Sequence, residues 1–156
     1  MKEPIATYLQ GSISMSLVRL AKAHRQQSGV RCQRIGLHTG QEHVIFRLLE
    51  DDGLSQSQLA ARLKVEIGTV AKMVQRMEKE GLLIRREDAE DARISRVYLT
   101  EKGRALGEPA AQILQDLDAC MVQGMSQAEQ LLFQRLLDQA AANVARCSLS
   151  PADEHA

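Results

Sequence analysis

Between Ser55 and Leu99 the hydrophobic period changes from helical to extended, and this constrains the fold more than any other feature of the chain. Ser55-Gln56-Ser57-Gln58 has the form of a capping box, in which serine accepts from a free helix N–H and the glutamine three residues on reaches back. Leu59, Ala60 and Leu63 follow, so a short helix is predicted there. Lys64 to Gly68 reads as a turn. Val70, Met73, Val74 and Met77 then recur at helical spacing, predicting a helix over about 67–80, and Gly81 stands where a left-handed terminator belongs. From Leu82 the pattern changes to two β-prone pieces, Leu82–Arg86 and Ile94–Leu99. The charged stretch between them predicts a hairpin with a long polar tip.

Helical periods flank this block. Residues 12–28 place Ile13, Leu17, Leu20, Ala21 and His24 on one face, and 41–51 do the same with Val44, Ile45, Leu48 and Leu49 before the Asp51-Asp52-Gly53 turn signal. Thr100 can cap a helix carrying Leu106, Ala110, Ile113, Leu114, Leu117 and Met121, with Pro109 forcing a bend or break. Ser126-Gln127-Ala128-Glu129 is a second capping box, opening a helix with Leu132, Phe133, Leu136, Leu137, Ala140 and Val144. The tail 148–156 is expected to fray. The fold class is therefore mainly α with a small β-hairpin wing, the element order of a winged helix-turn-helix.

Composition removes other classes. A chain of 156 residues, 44% of them hydrophobic, holds one domain or two small modules. No run approaches the roughly 18 apolar residues of a membrane span, and the first residues lack the pattern of a signal peptide, so no membrane role and a cytoplasmic location are expected. Cys32, Cys120 and Cys147 are widely spaced, encoding neither a disulfide framework nor a four-ligand zinc site. Aromatic residues are 3%, too few for a single-strand stacking platform. Phosphate loops, GxSxG and HExxH are missing, so no enzyme and no cofactor are expected. The net charge is zero, yet it sums opposed blocks: +5 over 1–49, −3 over 50–61, +3 over 62–104 and −5 over 105–156.

The middle block carries the chemistry. Opposite the apolar stripe of the helix over 67–80 lie Thr69, Lys72, Gln75 and Arg76, with Lys79 beyond. Hydroxyl, amide and cationic groups suit base edges and phosphates. Ser55 and Gln56 at the preceding helix start, and Ser95 and Arg96 on the hairpin, extend the set of DNA-contact candidates. At the hairpin, Glu87, Asp88, Glu90 and Asp91 would be repelled by phosphate while Arg85, Arg86, Arg93 and Arg96 would be attracted. The conflict resolves if Asp91 orients Arg93 toward a minor groove.

Gly36-Leu37-His38-Thr39-Gly40-Gln41, Leu54-Ser55-Gln56-Ser57-Gln58-Leu59-Ala60, Met77-Glu78-Lys79-Glu80-Gly81-Leu82, Asp91-Ala92-Arg93 and Leu99-Thr100-Glu101-Lys102-Gly103 together resemble the MarR family of winged-helix regulators. The resemblance implies N- and C-terminal dimerisation helices over 1–35 and 101–147 around a DNA-binding lobe over 36–100. It further implies a homodimeric repressor on a pseudo-palindromic operator, modulated by a small aromatic or lipophilic effector. Arg19, His38 and His43 are candidate ligand-binding residues. Ile67, Gly68 and Ala71 stand where the family commonly has polar residues, leaving fewer direct base contacts at that helix start. Two alternatives stay open: a protein-binding winged helix, and a redox sensor in which Arg31 and Arg34 lower the pKa of Cys32. Cys32, Glu42 and His43 could also offer metal ligands, but the C-terminal helices lack a second histidine pair, so no metal site is expected.

Overall fold

The computed structural model describes residues 11–91 and 93–147; the expected frayed tail over 148–156 lies outside them. The chain divides into two compact units, one ending at Leu117 and the other beginning at Asp118. The first contains α1 (Ile13–Arg34), α2 (Gln41–Glu50), β1 (Leu54–Ser55), α3 (Gln56–Leu63), α4 (Ile67–Lys79), β2 (Leu83–Glu87), β3 (Ser95–Leu99) and α5 (Glu101–Ala105). Helix α6 (Gly107–Met121) crosses the boundary, and α7 (Gln127–Arg146) belongs to the second unit. The architecture is mainly helical with one small antiparallel sheet, as the sequence pattern predicts. No helix among the described residues is long and apolar enough to cross a membrane.

Local chemistry places most boundaries. Ser55 accepts from the Gln58 N–H and the Gln58 side chain accepts from the Ser55 N–H, completing the box at the start of α3. Ser126 and Glu129 repeat it at α7. Lys64 ends α3 in the left-handed region at φ 54°, and Val65 N–H reaches back to the Ala60 carbonyl. Gly81 ends α4 at φ +72°, with Leu82 N–H donating to Met77 and Gly81 N–H to Glu78, a terminator that a residue without a Cβ adopts without strain.

Three features differ from the sequence reading. Residues Leu54 and Ser55 form a third strand, so the sheet runs β1-β3-β2 rather than being a lone hairpin; Leu54 pairs with Val97 and Ser55 with Arg96. Helix α1 continues six residues past 28 to Arg34, and only Ser28, Gly29 and Cys32 in it are buried. Of its apolar face, Ile13, Leu17 and Ala21 are exposed and Leu20 and His24 half-buried. The break expected near Pro109 falls at Leu106. Pro109 then sits in the first turn of α6, where a missing N–H leaves no helical bond unmade.

The core of the first unit joins Leu37, Val44, Ile45, Leu48, Leu59, Val70, Val74, Met77, Leu82, Leu83 and Val97, with Ala110 from α6. Three inner positions of α4 are sealed in it, which fixes the rotation of that helix and turns its opposite face outward. Within the second unit α7 buries none of its residues, and Val144 is 72% exposed.

Candidate nucleic-acid interface

Helix α4 presents the predicted polar face intact. Thr69, Lys72, Gln75, Arg76 and Lys79 are all exposed, while Val70, Val74 and Met77 are buried on the other side. The acidic residues at its C-terminal end are engaged internally. Glu78 accepts two bonds from Arg85 of β2, 2.9 and 2.6 Å long, and the bound guanidinium holds its carboxyl below the ordinary range. Glu80 receives the Gln41 amide at 3.2 Å and lies 3.4 Å from His38 Nε2 and 3.8 Å from Arg76 Nε. Both carboxylates thus tie α4 to its neighbours. Ser55 is half-buried in its capping box, and Gln56 is half-buried in the first turn of α3.

At the wing tip the acidic residues act as fasteners. Asp91 Oδ1 accepts from the Arg93 N–H at 3.0 Å and from its Nε at 2.9 Å, while Oδ2 accepts from its terminal nitrogen at 2.9 Å. The Arg93 side chain is 90% exposed, so this fork projects an oriented cation into solvent. Asp88 holds the turn itself. Its Oδ1 accepts from the N–H groups of Glu90 and Asp91, its Oδ2 pairs with Arg96 Nε, and Arg96 donates onward to the Gly53 carbonyl at 3.0 Å. Arg96 is thereby a half-buried strut between wing and α3 entry, in a different setting from Arg93. Ser95 lies half-buried opposite Glu87. Arg86, one of the hairpin cations expected to attract phosphate, is exposed with its guanidinium 5.3 Å from the Tyr98 ring centroid.

Arginine and backbone donors hold Asp88 down to about 2, with the Arg96 bond the largest cause. A depressed carboxylate contributes order that is complete above its unfolded value near 4 and is lost as pH falls through the folded value. The Asp88 carboxyl resonance should therefore titrate near pH 2, with the Glu90 and Asp91 amide shifts following it. A midpoint near 4 would show that the fastener is not closed in solution.

The three candidate ligand residues have different surroundings. Arg19 donates to Ser16 on the surface of α1. His43 stands 3.7 Å from Glu42 and edge-on to Phe46. His38 alone borders a cavity of about 290 Å³, with Thr39, Gln41, Thr69, Lys72, Met73 and Arg76. The surroundings of Cys32 do not favour the redox alternative. Cys32 is fully buried, and burial followed by the Glu42 charge pushes its thiol up, away from thiolate. Arg31 and Arg34 are one and two residues away, and such helix neighbours do not share its face. Among the described residues, no three metal-ligating side chains gather where they could hold an ion.

A helix, a tight turn, a second helix with a polar outer face and an antiparallel hairpin define a winged helix-turn-helix, the class in which the second helix can enter the major groove. Residues 37–95 match the model of the MarR family. An uncharacterised HTH-type transcriptional regulator of Bacillus cereus is 34% identical over 98 residues, spanning 63% of this chain and 65% of that protein. The crystal structure of the transcriptional regulator SlyA superimposes with a TM-score of 0.78 at 28% identity, covering 85% of this chain and 94% of that one. A MarR family transcriptional regulator of Listeria monocytogenes, solved in complex with a 26-mer DNA, gives a TM-score of 0.76 at 24% identity, covering 86% and 89%.

Proposed function

We propose that this protein is a homodimeric transcriptional repressor that binds a pseudo-palindromic operator, α4 in the major groove and Arg93 in the adjacent minor groove. The observation that carries the reading is the exposed Thr69, Lys72, Gln75 and Arg76 face beside an arginine held outward by Asp91. The DNA complex of the Listeria protein, which shares the fold, supports it. Selecting bound duplexes from a random pool tests it. Half-sites centred roughly one helical turn apart are expected, with affinity falling steeply as salt rises. A pool with no enriched duplex would favour the protein-binding module instead.

Dimerisation is supported by apolar surface that one chain leaves in water: Ile13, Leu17 and Val18 on α1, and Leu131, Leu132, Leu136, Leu137 and Val144 on α7. The +5 charge of residues 1–49 and the −5 of residues 105–156 would attract between copies, although exposed pairs contribute only about 0–1 kcal/mol each. Sedimentation at micromolar concentration giving the mass of one chain would remove the dimer.

The cavity beside α4 suits a small aromatic or lipophilic anion, with Lys72 and Arg76 at its wall. An effector acts only through different affinity for DNA-competent and incompetent states. Because Thr69, Lys72 and Arg76 both line the cavity and belong to the proposed DNA face, occupant and operator compete. Salicylate that bound without loosening the operator would exclude this route of release.

A further inference from the structure

Two residues in the first turn of α4 have no role that the described residues account for. Ile67 opens the helix with 53% of its surface exposed, close in sequence to the exposed Val65. It precedes Val70 by three residues and Val74 by seven, so it lies on the side of the buried stripe, yet it runs past the end of the core. Gly68 is exposed, its φ is not in the left-handed region, and a Cβ there would meet nothing within 4 Å. Alanine would fit that position and favour the helix. Neither the backbone nor the packing of the described residues calls for glycine.

The leading end of α4 thus combines a branched apolar side chain with bare backbone, next to Thr69, the first hydroxyl of the outward face. Glu66 precedes them and makes no side-chain cap bond. Its carboxylate is repelled by phosphate, so this end of α4 gains no phosphate contact from it. The major groove offers one apolar feature, the 5-methyl group of thymine.

We propose that Ile67 reads thymine methyl groups in the operator, and that the missing side chain at Gly68 lets α4 seat deeply enough for it to do so. This rests on α4 being the groove-reading helix. The test replaces each dT of a selected duplex, one at a time, by dU, which keeps every hydrogen-bonding group of the base edge and removes only the methyl.

At one position in each half-site the wild-type protein should lose about fourfold in affinity per methyl removed. Ile67→Ala should bind the dT and dU duplexes alike. Gly68→Ala should melt no lower than wild type, bind the dT duplex more weakly and keep the salt dependence of binding. A wild-type protein indifferent to every dU, or Ile67→Ala that still discriminates, would overturn the proposal. A duplex bound tightly and salt-dependently but without dU sensitivity sinks the methyl reading alone. A pool with no enriched duplex sinks both this and the DNA-binding function.

Discussion

Arg93→Ala weakens operator binding by about 1–3 kcal/mol for each wing engaged, roughly 5- to 150-fold, with the melting temperature unchanged. The split between binding and stability follows from the geometry. The side chain is 90% exposed and its bonds run to Asp91 at the same tip, so its removal leaves the core untouched. The Arg93 bond holds the Asp91 carboxyl below its ordinary range. The fork fixes the guanidinium before DNA arrives, so less side-chain entropy is lost on binding. It also places a negative charge near phosphate, and that cost limits the gain.

Two companion variants sharpen this prediction. Arg93→Lys keeps the charge but not the planar fork, so it should recover only part of the affinity. Asp91→Ala frees the arginine and should cost less than removing it. Fluorescence anisotropy on one duplex at one stated salt concentration reads all three. Affinity unchanged in Arg93→Ala would take the wing out of the interface.

The Asp91–Arg93 fork was legible because it is local: an aspartate and an arginine two residues apart at a turn have few ways to face each other. The buried stripe of α4, its Gly81 terminator and both capping boxes were legible for the same reason. What escaped depends on partners far along the chain. Strand β1 is two residues long and exists because Leu54 meets Val97 and Ser55 meets Arg96, while its own sequence announces a turn and a cap. Gln41 and Glu42 look like surface residues, yet both are buried, accepting from the N–H groups of His38 and Gly40 at 2.8 Å. Asp88 left a fainter signal: an aspartate at a turn start often accepts from the N–H groups that follow it. That pattern could have found its bonds to Glu90 and Asp91, but not Arg96, which arrives from the opposite strand. The setting of Cys32 was not legible, because the groups that act on it, Glu42 and Ser28, are not its sequence neighbours.

Gly103→Ala should cost about 3 kcal/mol or more and lower the melting temperature by about 10 °C, the largest loss of stability expected from any single methyl in this chain. A Cβ at that position would lie 2.1 Å from the Leu82 carbonyl oxygen, a backbone atom that cannot swing aside. That carbonyl already accepts from the Thr100 N–H at 3.1 Å. The Thr100 hydroxyl donates to Gly81 at 2.7 Å, and Lys102 Nζ to Glu80 at 2.8 Å. Three successive carbonyls after α4 are therefore clasped by the start of α5, and displacing one strains the other two. Gly107→Ala is the control. Its Cβ would meet Leu49 Cδ1 at 2.4 Å, a closer approach than van der Waals contact allows, but Leu49 is half-open to solvent and its end can rotate away. Alanine also favours the helix, so that variant should lose less than about 1 kcal/mol. Equal losses in the two variants would mean that the clasp yields easily. Because the same clasp joins the end of α4 to the strand that returns from the wing, Gly103→Ala should lose operator binding together with its fold, whereas Arg93→Ala loses only the former.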